Sequence, residues 1–146
     1  VLLLDGPVVK KGQGPLAWSV LVSAAGQAAR HRIGRGIDGW LDELRKQGLD
    51  VTCAKDGKEA VDALERGEFD AVFMDVEMPV MDGLAATVEI RQRETPLQKH
   101  TPIIALTSTT DRERCFDAGM DGFAAKPLNP ECLEQILGVV TLVRSQ

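Results

Sequence analysis

The sequence has few of the residues that build disulfide frameworks or metal centres. Among its 146 residues are three cysteines and two histidines, and none are spaced as CxxC or as a Cys/His ligand set. An odd cysteine count without such spacing excludes a disulfide scaffold or zinc module and fits free thiols in a reducing cytoplasm. His31 and His100 lie far apart and have no ligand-spaced companions. We therefore expect a cytoplasmic protein stabilised by its hydrophobic core.

Long hydrophobic runs are also missing. The uncharged stretch 12–29 follows two lysines and loosely mimics a secretory signal, but it has two glycines among its first three residues and holds a proline, two glutamines and two serines. It is too polar to span a bilayer. A basic cluster at residues 30–35 has no interleaved aromatics, and the net charge of the chain is −5. A solvated helix face is therefore expected there, with neither nucleic acid nor membrane as a partner.

The chain has enough apolar residues for one compact domain. Hydrophobic residues make up 44% and charged residues 27%, and a chain of this size buries roughly two thirds of its unfolded surface. Its first 48 residues carry seven Lys/Arg against four Asp/Glu and eight of the fourteen glycines, whereas the remainder carries ten against eighteen. We expect residues 1–17 to form an N-terminal extension, hairpin or linker, and residues 18–146 to form the domain.

From Gly48 onward, short apolar runs alternate with amphipathic stretches, which is typical of parallel strands joined by crossover helices. The predicted strands are Val51–Ala54, Ala71–Asp75, Ile103–Thr107 and Gly122–Ala125. The predicted helices are Lys58–Glu65, Leu84–Arg93, Asp111–Ala118 and Pro130 to about Val143. The last helix has an apolar stripe that is expected to pack on the sheet, with a homodimer face as the alternative: Leu133, Ile136, Leu137 and Val140.

Three residues that carry chemistry fall at predicted strand ends. Asp75 and Thr107 each end a strand, and Lys126 directly follows another. Because parallel strands bring their carboxyl ends to one edge, where open α/β sheets bind ligands, a carboxylate, a hydroxyl and an ammonium are expected at one rim. This set suits transfer of a phosphoryl group to the carboxylate, with the hydroxyl, the lysine and a divalent cation holding the phosphoryl oxygens.

Five segments carry motifs: Gly57–Val61, Phe69–Asp75, Met78–Gly83, Pro102–Thr107 and Ala118–Pro127. Together they resemble the receiver domain of two-component response regulators, and most of all the receivers of hybrid histidine kinases in phosphorelays. The resemblance covers about two thirds of the chain. It implies a flavodoxin-like, doubly wound, five-stranded parallel sheet of order 2-1-3-4-5 flanked by helices. It also implies a partner histidine on a kinase or phosphotransfer domain.

The same resemblance implies roles for single residues. Asp75 is the phosphoacceptor and, with the backbone carbonyl of Glu77, a ligand of Mg²⁺. Thr107 is the switch hydroxyl, Lys126 is the phosphate partner, and Phe123 is the aromatic residue that changes rotamer on activation. The chain is then a signalling domain rather than an enzyme, with at most self-phosphorylation and autodephosphorylation, and is either a stand-alone domain or part of a hybrid histidine kinase.

The front of the chain departs from the receiver pattern, in which two acidic residues at the end of the first strand hold Mg²⁺. Two alignments place that pair. If Val1–Leu4 is the first strand, Asp5 stands at the acidic position; if Val20–Val22 is, Ala24 and Ala25 stand there. The second is favoured because it leaves a compact unit with a modestly lengthened first helix. Mg²⁺ would then have one carboxylate ligand and bind weakly or not at all.

Three functions stay open on these residues. The first is a phosphoacceptor receiver, and the second is a degenerate pseudo-receiver that acts as a protein-interaction module because the acidic pair is missing. The third is a phosphohydrolase of the haloacid-dehalogenase type, which also uses Asp, Thr or Ser, and Lys. That family needs a DxD pair near the start of its core, whereas Asp75-Val76-Glu77 lies in the middle of the domain. The motif therefore gives the third hypothesis little support.

Overall fold

The computed structural model describes residues 19–23, 35–78, 80–107, 112–125 and 131–144. The strands are β1 Ser19–Ser23, β2 Asp50–Ala54, β3 Ala71–Asp75, β4 Ile103–Thr107 and β5 Gly122–Ala125. The helices are α1 Arg35–Lys46, α2 Gly57–Arg66, α3 Gly83–Glu94, α4 Arg112–Ala118 and α5 Glu131–Arg144, with a 3-10 turn at Thr95–Leu97. The predictions for β3, β4 and β5 are confirmed residue for residue, and those for β2, α2 and α3 to within one residue at each end.

The strands form one parallel sheet in the order β2-β1-β3-β4-β5. Val22 of β1 is paired with Cys53 of β2 on one side and with Phe73 of β3 on the other. This order is that of the flavodoxin-like fold implied by the sequence. The place of the first strand is thus taken by Ser19–Ser23, in agreement with the favoured alignment. Residues 1–17, which include the other candidate strand Val1–Leu4 and Asp5, lie outside the described residues.

Both faces of the sheet are covered, because successive side chains of a strand point to opposite sides. Val20, Val22 and Phe73 belong to a buried cluster that includes residues of α1 and α5. Leu21 and Met74 belong to a second cluster that includes residues of α2, α3 and α4. Strands that are buried on both faces need continuous apolar runs, and for this reason β3 and β4 are easily recognised in the sequence.

The apolar stripe of α5 lies in the core. Ile136, Leu137 and Val140 have at most 5% of their surface exposed and belong to the cluster shared with α1. The prediction that this stripe packs on the sheet therefore holds for these three residues. The side chain of Leu133, and the whole of Pro130, lie outside the described part of the chain.

Gly83 opens α3 directly behind the end of β3. A β-carbon at this position would lie 2.3 Å from the carbonyl oxygen of Asp75 and 2.9 Å from a side-chain carbon of Met74. We expect Gly83→Ala to lower the free energy of unfolding by about 1–3 kcal/mol, because the backbone has to shift. Gly67→Ala is the control, since nothing lies within 4 Å of its β-carbon position. Urea unfolding of both variants checks this; equal stability would contradict it.

Candidate functional site

Asp75 and Thr107 end neighbouring parallel strands and so lie at the same edge of the sheet. Asp75 is paired in register with Leu106, the residue before Thr107. Both functional side chains are buried: Asp75 is 1% exposed and Thr107 is 5% exposed. Thr107 is in turn paired with Ala125, the last residue of β5. The structure therefore brings two of the three predicted groups to one rim. The third, Lys126, follows Ala125 in the sequence and lies outside the described residues.

The backbone that follows Asp75 is held by three hydrogen bonds from backbone amides. The amide of Glu77 donates to Oδ1 of Asp75 at 3.0 Å, and the amide of Val76 donates to the carbonyl of Leu106 at 3.1 Å. The amide of Gly83 then returns to the carbonyl of Val76 at 3.0 Å. A buried carboxylate that accepts a backbone N–H is held in one orientation, as a reacting group at a strand end requires.

Two further aspartates near this edge have structural roles instead. The side chain of Asp56 accepts from the amide of Glu59 at 2.8 Å and caps α2, and Asp82 accepts from the amide of Ala85 at 2.8 Å and caps α3. A carboxylate is a favourable cap because it accepts an orphan amide and faces the positive end of the helix dipole. The sequence signal for these caps, an aspartate just before an amphipathic run, was present but was not used in the prediction.

The end of β1 carries a neutral side chain. Ser23 is fully buried, and its hydroxyl lies within hydrogen-bonding distance of two acceptors, the carbonyl oxygen of Asp56 at 3.2 Å and the sulfur of Met78 at 3.4 Å. The next two residues, Ala24 and Ala25, lie outside the described residues and have no carboxylate to offer.

The oxygen atoms at this edge of the sheet do not form a complete Mg²⁺ site. Mg²⁺ prefers six oxygen ligands in an octahedron, and the ligands that a protein supplies are mainly carboxylates. Among the five strand-terminal residues, all of which are described, Asp75 alone carries a carboxylate. In the described part of the chain there is no group of three or more His, Cys, Asp or Glu residues that could hold a metal ion. Asp75 and the carbonyl of Glu77 remain the two predicted ligands.

Phe123, the predicted switch aromatic, lies on β5 beside Ala105 and is partly buried against the cluster formed with α2, α3 and α4. The guanidinium carbon of Arg112, the first residue of α4, lies 4.2 Å from the centroid of its ring. This is a cation–π contact, which stabilises a given ring position. Nothing in the sequence signalled Arg112, because a contact between two separate elements leaves no local pattern.

The fold and the rim together define a doubly wound α/β protein with a buried strand-end carboxylate beside a strand-end hydroxyl. A family model described as the response regulator receiver domain matches residues 36–138. The chain belongs to this family of two-component signalling domains. Membership in it sets aside the haloacid-dehalogenase hypothesis.

Similar proteins come from bacteria and eukaryotes. Hybrid signal transduction histidine kinase I of Dictyostelium discoideum is 38% identical in an alignment 102 positions long, which covers 64% of this chain and 6% of that protein. The receiver domain of sensor histidine kinase PA1611 from Pseudomonas aeruginosa, solved with magnesium in its active site cleft, is 36% identical with a TM-score of 0.69, over 86% of this chain and 98% of that one. The chain is thus a small part of the length of the kinases that it matches.

The fold also matches the receiver domain of Ssk1 from Saccharomyces cerevisiae, solved in complex with the histidine phosphotransfer protein Ypd1. The TM-score is 0.69 at 23% identity, over 88% of this chain and 91% of that one. At this identity the match supports the fold alone. In the described part of the chain, no helix is both long and apolar enough to cross a membrane.

Proposed function

We propose that this receiver domain accepts a phosphoryl group from a phosphohistidine onto Asp75 and thereby changes its interactions with other proteins. The observation that carries the proposal is the buried Asp75 carboxylate, oriented by the amide of Glu77, at the strand edge that also holds the hydroxyl of Thr107. A single oriented carboxylate beside a hydrogen-bond donor is the arrangement that phosphoryl transfer to an aspartate needs.

In the reaction, a carboxylate oxygen of Asp75 attacks phosphorus and forms a P–O bond. The P–N bond to the donor's imidazole breaks, and its electron pair returns to the ring nitrogen. The hydroxyl of Thr107 donates to a phosphoryl oxygen, and the ammonium of Lys126, assigned from its sequence position after β5, balances the added charge. The product is an acyl phosphate, and the domain acts as a phosphoryl acceptor rather than as an enzyme with turnover.

The partners we propose are a histidine kinase or a histidine phosphotransfer protein. Support comes from the hybrid kinases among the relatives and from the Ssk1 receiver, whose partner in its complex is Ypd1. Cys53 is a free thiol, which fits the reducing cytoplasm in which we expect such a relay to operate.

The second candidate function is that of a pseudo-receiver that binds proteins without accepting phosphate. The end of β1 favours this function. Its last residue, Ser23, has a neutral side chain, and the two positions after it, which are acidic in the family pattern, are Ala24 and Ala25. For the phosphoacceptor we accordingly propose that Mg²⁺ binds weakly at most and contributes little to the reaction.

Intact-mass analysis after incubation with phosphoramidate separates the two candidates. We expect the mass of one phosphoryl group to be added at similar rates with Mg²⁺ and with EDTA. The double variant Ala24→Asp, Ala25→Asp is expected to react about 100-fold faster with Mg²⁺ than with EDTA, because it restores the charges that would hold the cation. If no phosphoryl group is added under an excess of donor, the phosphoacceptor function is refuted and the pseudo-receiver is the function that stands. If the natural sequence reacts only with Mg²⁺, the proposal that the metal binds weakly and contributes little is refuted.

A further inference from the structure

A cleft lies between the carboxyl-terminal halves of α2 and α3, at the edge of the sheet opposite to Asp75. Its volume is about 690 Å³, which is in the range of pockets that hold small molecules. Its wall is mainly apolar and includes the buried side chains of Val61 and Ile90 and the partly buried side chain of Leu64. Leu97, in the 3-10 turn, is 71% exposed at its rim. The cleft thus presents an apolar surface to solvent.

One buried hydroxyl in the wall of the cleft has no hydrogen-bond partner among the described residues: Oγ1 of Thr101, a residue that is 3% exposed. The backbone of this residue is fully bonded, since its amide donates to Glu94 at 2.9 Å and its carbonyl accepts from Arg91 at 2.8 Å. Two other buried threonines, Thr87 and Thr141, donate to helix carbonyls at 2.7 and 2.9 Å. A buried hydroxyl costs free energy until it is paired, so that of Thr101 is suited to bind a polar group of a ligand.

The ionic groups of the cleft favour a negative charge on that ligand. Two of the three glutamates in its wall are paired with arginines of α3. The third, Glu68, has a side chain that is 88% exposed, and its carboxylate lies 3.8 Å from Nζ of Lys99. Two cations, Arg66 and Lys99, therefore stand against this one exposed carboxylate. Lys99 comes two positions before Thr101 in the sequence, so an ammonium and an unpaired hydroxyl belong to one short segment of the wall.

We propose that this cleft binds a small amphipathic carboxylate. Its apolar part packs on side chains such as Leu64 and Ile90, and its carboxylate accepts hydrogen bonds from the hydroxyl of Thr101 and the ammonium of Lys99. An inorganic anion would leave the apolar wall unused, and a hydrocarbon would leave the hydroxyl unpaired. The inference goes beyond the proposed function and does not depend on it, because the cleft lies at the other end of the strands from Asp75.

The probe for this site is 3-phenylpropionate, with 3-phenylpropanamide as its neutral counterpart. Amide chemical shifts in NMR titrations of the full chain report binding. We expect 3-phenylpropionate to bind with a Kd of about 1 mM, as its size allows, and to shift the resonances of Leu64, Ile90 and Leu97. The amide should bind about tenfold more weakly, because it lacks the charge that pairs with Lys99.

Three variants locate the polar contacts. Thr101→Val keeps the shape of the side chain and removes the hydroxyl, so the affinity for 3-phenylpropionate should fall about tenfold. Thr141→Val is the matched control: it removes a buried hydroxyl on α5 that is bonded to the carbonyl of Leu137 and does not line the cleft, and it should bind the probe as the natural sequence does. Lys99→Gln should bind the carboxylate and the amide equally, because it keeps the hydrogen-bonding group and removes the charge.

The inference is overturned if 3-phenylpropionate causes no saturable shift at the residues of the cleft, or if Thr101→Val binds it as tightly as the natural sequence. An equal loss of affinity in Thr141→Val would also overturn it, because the effect of Thr101→Val would then be general. If Thr101→Val fails to fold, Lys99→Gln decides, and an undiminished preference for the carboxylate in that variant contradicts the proposal.

Discussion

Asp75→Asn is expected to abolish the phosphoryl adduct completely. An amide nitrogen or oxygen is a far poorer nucleophile than a carboxylate oxygen, so the P–O bond cannot form at this position. The fold is expected to persist, because the amide oxygen of asparagine can accept the hydrogen bond that Oδ1 of Asp75 now accepts from Glu77 at 3.0 Å. Intact-mass analysis after incubation with excess phosphoramidate measures the effect.

Asp56→Asn is the matched control for this variant. Asp56 is a second buried aspartate, 8% exposed, that follows β2 and caps α2 through the amide of Glu59. Asparagine caps helices nearly as well as aspartate, so the stability should hardly change and the adduct should remain. If the adduct persists in Asp75→Asn but disappears in Asp56→Asn, the phosphoacceptor is Asp56 and the assignment to Asp75 is refuted.

The largest effect on stability is expected from Arg91, at the opposite edge of the sheet from Asp75. Its guanidinium donates to the carbonyls of Gly119 at 2.9 Å and Thr101 at 2.8 Å. It also pairs with the carboxylates of Glu94 at 2.6 Å and Asp121 at 2.8 Å. The side chains of these three charged residues are at most 16% exposed. One cation thereby joins α3 to the segments that precede β4 and β5.

Arg91→Met is expected to lower the free energy of unfolding by about 3–5 kcal/mol, because it removes the guanidinium from two largely buried carboxylates. Glu94 then lacks its cation, and Asp121 keeps only the imidazole of His100, at 2.7 Å. Arg93→Met is the control: Arg93 lies on the same helix, is 43% exposed and pairs with Glu65 and Glu89. Exposed pairs of this kind contribute about 0–1 kcal/mol. Urea unfolding of both variants tests the difference, and similar losses would contradict it. Arg91→Lys keeps the positive charge but lacks the planar guanidinium that bonds several partners at once. We therefore expect its loss of unfolding free energy to lie between those of Arg93→Met and Arg91→Met.

The sheet and the position of Asp75 at a strand end could be predicted because their signals are local. A strand buried on both faces needs an uninterrupted apolar run, and such runs end at Asp75 and at Thr107. Parallel strands deliver their carboxyl ends to one edge, so the sequence order of these two residues was enough to bring them together. The boundaries of α2 and α3 followed from amphipathic spacing, to within one residue at each end.

The first strand was ambiguous for the opposite reason. The front of the chain holds two short apolar runs, and which of them joins the sheet depends on pairing with β3, far along the chain. Ser19, for example, donates through its amide to the carboxylate of Asp70, 51 positions away. The Arg91 network and the contact of Arg112 with Phe123 likewise join separate elements. Contacts of this range have no periodicity that a sequence alone displays.

The central claim, that Asp75 carries the phosphoryl group, is tested most directly by reductive trapping. Borohydride converts an aspartyl phosphate into homoserine, and peptide mass spectrometry then locates the modified position. After reaction with phosphoramidate, the account predicts homoserine at position 75 and unchanged aspartate at Asp56, Asp70 and Asp82. Unmodified Asp75 under conditions that phosphorylate a control receiver, or homoserine at another aspartate, would contradict it.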